Sequence, residues 1–171
     1  MPYTWVNGDV ITSTRLNAIE QDRAPVTVQS IAGEPNGTLT AYPVSTLRMA
    51  TANIGDFVYL FGGFNSTNVN QTTVYRYSIS GNSYTAMASL ATARAYLAAA
   101  VGADVYLIAS GATAETLRYN VAANTYTTLT AHGTAGCIAM CAIGTNIYFM
   151  TASGSVLVKY DTVAGTYSTM A

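Results

Sequence analysis

From about residue 46 onward, apolar and polar positions alternate in short runs, each too brief for a helix and closed by turn-forming residues. The stretch Tyr96 to Leu129 shows it: "YLAAAV", "DVYLIA", "TLRYNV" and "TYTTL" follow one another with Gly, Asn, Ala and Thr between them. Runs rich in Val, Tyr, Thr and Leu, bounded by such breakers, predict β-strands. Three stretches share this plan, with cores "GDFVYLFGG…TTVYRYSISGNSYTAM", "GADVYLIAS…ETLRYNVAANTYTTL" and "GTNIYFMTA…VLVKYDTVAGTYSTM".

Tyrosines keep time in this pattern. Tyr77 and Tyr84, Tyr119 and Tyr126, and Tyr160 and Tyr167 are each seven residues apart. Tyr59, Tyr106 and Tyr148 each follow Gly55, Gly102 and Gly144 by four, and the steps from Tyr84 to Tyr106 and from Tyr126 to Tyr148 are both 22 residues. The repeat length is 47 and then 42 residues, the range of propeller blades. Each unit therefore predicts four antiparallel strands. The Ala-rich first strand suits the crowded centre, and the tyrosines suit outer strands, where a ring is buried while its hydroxyl reaches a polar partner.

These units resemble kelch repeats. A kelch blade carries a Gly-Gly pair after its second strand, a Tyr on its third, and an aromatic, usually Trp, seven residues on. The first unit matches with Gly62-Gly63, Tyr77 and Tyr84; the later units put Ala109-Ser110 and Thr151-Ala152 in place of the glycines. Tyr stands throughout where Trp is usual, and the position after the third-strand Tyr is Ser78, Asn120 or Asp161. The resemblance implies an all-β fold of about three four-stranded antiparallel blades over residues 47–171. Three blades do not close a ring, since propellers have four to eight. A second copy, another chain, or sequence continuing past Ala171 is expected to cover the open faces, and the residues do not choose among them.

Residues 1–24 differ in kind. Asn7-Gly8 signals a turn, and Thr12 or Ser13 can cap a short helix carrying Leu16, Ile19 and Arg23 before Pro25 ends it. A helix of about 11 residues is marginal alone and needs a partner surface. Trp5, Val10 and Ile11 extend its apolar face. With "GDVIT" at 8–12, this stretch resembles the opening of tail-fibre, head-fibre and other appendage proteins of tailed bacteriophages. That resemblance implies an anchor through Trp5, Val10, Ile11, Leu16 and Ile19 to other virion proteins, hence location on a virion assembled in the host cytoplasm. Residues 25–46, with Pro25, Pro35, Pro43 and "EPNG", predict an extended linker or small ribbon.

Composition narrows the chemistry. Charged residues make up 9% of the 171, the net charge is -1, and seven dispersed Lys and Arg leave no basic stripe for phosphates, so nucleic acid is not an expected partner. The longest apolar run is broken by Gly102 and Asp104, so membrane insertion is not expected. The N-terminus lacks the cationic start and apolar core of a secretory signal. Cys137 and Cys141, on one strand, would lie roughly 13 Å apart, too far to bridge, and are expected as buried, inert thiols.

No catalytic constellation, metal set, phosphate loop or dinucleotide fingerprint is evident, so neither an enzyme nor a cofactor is expected. His132 is the only histidine, in a loop between units, and Asp56 and Asp104 are expected to brace turns. Binding is the better expectation. "FNSTNVNQTT" offers Phe64, Asn65, Asn68 and Asn70, an aromatic among adaptable amides. The kelch resemblance implies that this loop shares a rim with the crossings that hold Arg94 and His132. Together the resemblances point to a virion structural protein, forming a homo-oligomer, that presents its blades to a host-surface glycan or another protein. A cellular kelch-type interaction module is the alternative, and a polysaccharide-active enzyme a further one.

Overall fold

A computed structural model describes residues 39–110, 114–133, 136–151 and 156–170. The predicted N-terminal helix, its anchoring residues Trp5, Val10, Ile11, Leu16 and Ile19, and linker residues 25–38 lie outside the described residues. The described chain is all-β, with twelve strands and no helix among the described residues. They form three four-stranded antiparallel sheets, consistent with kelch-like blades. Blade one comprises β1 (Ala50–Ile54), β2 (Phe57–Phe61), β3 (Val74–Ser78) and β4 (Ser83–Ala86). Blade two comprises β5 (Tyr96–Val101), β6 (Asp104–Ala109), β7 (Thr116–Asn120) and β8 (Thr125–Leu129). Blade three comprises β9 (Cys137–Ile143), β10 (Asn146–Thr151), β11 (Leu157–Asp161) and β12 (Thr166–Met170).

Strands pair in chain order within each blade, and β5 packs beside both β1 and β9. The Ala-rich first strands are thus the inner ones. Side-chain alternation gives every blade a forward face, toward the next, and a rear face, toward the previous. Ala52, Tyr59, Phe61 and Val74 on the forward face of blade one meet Val105, Leu107, Leu117 and Tyr119 on the rear face of blade two. Tyr106 and Ile108 on the forward face of blade two meet Ile147, Phe149, Val158 and Tyr160 of blade three.

The seven-residue tyrosine spacing now has its cause. Tyr77 is directly opposite Tyr84, Tyr119 opposite Tyr126, and Tyr160 opposite Tyr167, across the β3–β4, β7–β8 and β11–β12 hairpins. Their ring centroids are 4.8, 4.9 and 4.5 Å apart. The turn between them places Asn82, Asn124 and Gly165 at φ 43°, 55° and 69°, a conformation that Asn and Gly tolerate best. Ser78, Asn120 and Asp161 interchange because each supplies one oxygen to the amide three residues on, that of Gly81, Ala123 and Ala164. Asp56 braces the same hairpin in blade one by accepting from Ser80 N and Ser78 Oγ.

Two expectations change here. Cys137 is buried while Cys141 is exposed, so the pair are not both buried. Four residues apart on a regular strand they would share a face, but a register shift between Met150 and Thr151 turns Cys137 to the rear and leaves Cys141 forward. Residues 39–46, expected to be linker, lie against blade one: Thr40 N donates to Asn82 Oδ1 at 2.9 Å, and Tyr42 packs edge-on against Tyr75 and Tyr84.

Gly62 and Gly63 are needed where the chain leaves β2. Gly63 has φ +93°, and a Cβ there would sit 2.6 Å from the Leu47 carbonyl oxygen, inside the paired backbone of Leu47 and Phe64. Gly144 has φ +59° but nothing within 4 Å of such a Cβ. Gly144→Ala should therefore cost about 1 kcal/mol from backbone conformation alone. Gly63→Ala should cost more, about 2 to 4 kcal/mol as strain and clash add. Urea unfolding of both variants checks this order.

Candidate functional site

The corner made by Gly62 and Gly63 opens a cleft on one rim of the blades. The loop after it is a small hairpin: Asn65 N donates to Val69 O at 3.0 Å, and Asn65 Oδ1 accepts from the amides of Thr67 and Val69 at 3.1 and 2.9 Å. Asn68 turns the tip at φ 61°, exposed. Asn65 therefore shapes the loop and has its oxygen committed to it. Phe64 and Asn70 form an isolated bridge at the base and face the cleft.

Across from them runs the crossing between blades one and two, with Thr92, Ala93, Arg94 and Ala95, and the end of β6, with Ala109 and Ser110. The cleft has a volume of about 600 Å³. Ser110 N is held by Ala95 O at 2.9 Å, which ties the two walls together. Arg94 Nε lies 3.4 Å from a Glu115 carboxylate oxygen, and the same oxygen accepts the Tyr96 hydroxyl at 2.6 Å. Burial, then Glu115, drive the Tyr96 phenol far above its ordinary range, so it stays a donor at all physiological pH. The cation is thus balanced by its own carboxylate, and the cleft carries little net charge. Asn70 Oδ1 is buried with no hydrogen-bond partner among the described residues, an acceptor that a ligand donor or water would satisfy.

Of the residues expected on the rim, Phe64, Asn70 and Arg94 line this one cleft. His132 is not with them. It is 7% exposed and packs edge-on against Phe149 and Tyr167, with ring centroids 5.2 and 6.3 Å away. Its place follows from the repeat. Leu90 N donates to Thr72 O in blade one and His132 N to Ala114 O in blade two, so His132 occupies the core position of Leu90. Ser110, Glu115 and Tyr96 were not foreseen. Ser110 stands at the second position of the kelch-like glycine pair in its unit, a signal available in the sequence; Glu115 and Tyr96 carried none.

The outer strands are fastened to the crossings by their tyrosines. Tyr126 OH donates to Ala88 O at 2.8 Å, and Tyr167 OH to Thr130 O at 3.0 Å. Ala88 N donates to Asn124 Oδ1 at 2.8 Å, and the Tyr119 hydroxyl donates to that same oxygen at 2.7 Å. Burial pushes Tyr167 up to about 12; burial, then Tyr59, push Tyr119 up to about 12, with Arg76 pulling the other way. Burial also pushes Cys137 up to about 11. Among the described residues no group of three or more metal-ligating side chains occurs, and no helix long and apolar enough to cross a membrane is present.

Two pH responses follow. Burial lowers the His132 pKa, so the folded state favours the neutral ring. Stability from this residue is full above about pH 6.5, the unfolded value, and declines as protonation of the unfolded chain takes over below it. His132→Leu should remove that decline between pH 7 and 5 in thermal denaturation. Tyrosines whose folded pKa is raised hold their stability below about pH 10 and lose it as pH climbs toward 12. Absorbance titration of phenolate should show late ionisation that coincides with unfolding.

Residues 46–91, which contain the whole of blade one and the first part of the crossing after it, match the model of the Kelch motif. A comparison with curated protein sequences yields no match. The Kelch motif match supports kelch-like blades in this chain.

Proposed function

We propose that this chain is a non-enzymatic binding module of a virion appendage, which attaches through residues 1–24 and presents the rim cleft to a host-surface glycan. One observation carries the binding part: one cleft is lined by Phe64, by Asn70, whose buried oxygen has no partner among the described residues, and by Arg94, its charge balanced by Glu115. An aromatic wall beside neutral donors and acceptors favours a polyhydroxylated, uncharged ligand over a phosphate or a polyacid. The Kelch motif match supports the coarser part, since such blades commonly serve as interaction surfaces. The virion part rests on the resemblance of Trp5, "GDVIT" and Leu16 to Glu20 to phage appendage openings. A cellular interaction module is the second reading, favoured by the Kelch motif match alone.

Binding to a glycan array should fall about tenfold or more in Asn70→Ala and Arg94→Gln, the loss for a hydrogen bond worth about 1.5 kcal/mol. A silent array, with capture of a host protein that depends on the same two residues, would replace the glycan by a protein partner. Deletion of residues 1–24 should abolish incorporation into particles, and normal incorporation would remove the anchor.

A further inference from the structure

Among the described residues, two blade faces have no blade against them, and they match the two sides of the junctions already present. The rear face of blade one carries Val58, Leu60, Tyr77 and Tyr84, all half-buried, in register with Val105, Leu107, Tyr119 and Tyr126 of blade two. Of that second set, Val105, Leu107 and Tyr119 are fully buried by blade one. The forward face of blade three carries Cys141, Tyr148, Met150 and Lys159. These match Ala52, Tyr59, Phe61 and Arg76 of blade one and Ala99, Tyr106, Ile108 and Arg118 of blade two. Ala52 and Ala99 are 8% and 7% exposed, whereas Cys141 is exposed, and Ile143 and Leu157 on the same face are 65% and 37% exposed.

The electrostatics repeat as well. Arg76 acts on Tyr119 of the following blade and Arg118 on Tyr160, each opposing the rise that burial imposes on the phenol. Lys159 is the third cation of this series, on a face with no following blade. Tyr77 is the matching tyrosine, on a face with no preceding one.

The segment before blade one completes the match. Ala88, on the crossing from blade one, donates its amide to Asn124 Oδ1 of blade two, and Leu90, two residues on, enters the core behind Tyr126. Thr40 donates its amide to Asn82 Oδ1 of blade one, and Tyr42, two residues on, packs against Tyr84. Residues 39–42 therefore stand where the crossing from a preceding blade would stand. The rear face of blade one thus carries the same amide-to-Asn contact and a packed side chain two residues on, as its counterpart on blade two does.

We propose that the forward face of blade three docks on the rear face of blade one of a second copy of this chain, head to tail. Two such junctions in one pair give six blades around a common axis, within the four to eight that propellers use. The arrangement is heterologous at each junction yet closes after two copies, so it does not run on into a fibre. A face-to-face pairing of two blade-three forward faces would instead put two Lys159 cations on one interface with no matching tyrosine, and leave Tyr77 uncovered.

Sedimentation of the full chain tests this, with Cys141 as an internal probe because Cys137 is buried and held protonated. The wild-type particle should have twice the 17.9 kDa chain mass, and its Cys141 should resist a soluble disulfide reagent. Cys141→Arg alters the forward face and Thr51→Arg the rear face at positions exposed within one chain. Each should halve the mass, and Thr51→Arg should also expose Cys141 to the reagent, with the circular dichroism spectrum unchanged. A wild-type monomer overturns the proposal, and if its Cys141 is nonetheless protected, residues outside the described set are the cover. Retention of the dimer by Thr51→Arg overturns the head-to-tail arrangement in favour of pairing through blade three alone. A mass above two chains overturns closure.

Discussion

The structure depends on the pair of tyrosines that face each other across the third and fourth strands of every blade. Most side chains of an outer strand such as Thr125–Leu129 are exposed, and the ladder to β7 would leave it a weakly held edge. Its Tyr126 changes that. The ring packs at a tilt against Tyr119, worth about 1 kcal/mol beyond burial, and the hydroxyl bonds a backbone carbonyl of the previous crossing. One side chain thereby joins strand, blade and neighbour. A phenylalanine would keep the ring contact and leave the Ala88 carbonyl without its partner.

That fastening also places the cleft. Because crossings are tied to the outer strand of the following blade, residues 88–95 follow a fixed course, and Arg94 and Ala95 meet Ser110 and the Phe64–Asn70 loop at one rim. Glycine makes the other half of the corner possible, since backbone occupies the space a Cβ at residue 63 would need. The ion pair of Arg94 with Glu115 is partly exposed and contributes little to stability, about 0 to 1 kcal/mol. Its larger effect is to remove net charge from the cleft, which decides what kind of ligand suits it.

Among the described residues, the same repeat that builds the junctions leaves one forward and one rear face over. Their side chains were set by the register of each blade, so they have the pattern of an interior without the cover of one. This is why Leu157 is exposed where the matching Val74 and Thr116 are buried, and Ile143 is exposed where the matching Ile54 and Val101 are half-buried.

Much of the blade architecture was legible in the sequence because strand periodicity and turn residues are local: three sheets, their order, and tyrosines seven residues apart that a short hairpin sets opposite each other. The sequence also put Phe64, Asn70 and Arg94 on a common rim through the kelch resemblance. It did not show that Tyr42, Leu90 and His132 share one role, because an aromatic, an aliphatic and an imidazole have no common local signature. Only tertiary packing decided that His132 is a core residue, and that a bulge separates Cys137 from Cys141. Those outcomes are set by which neighbours fill the space around a side chain, and those neighbours come from strands far away along the chain.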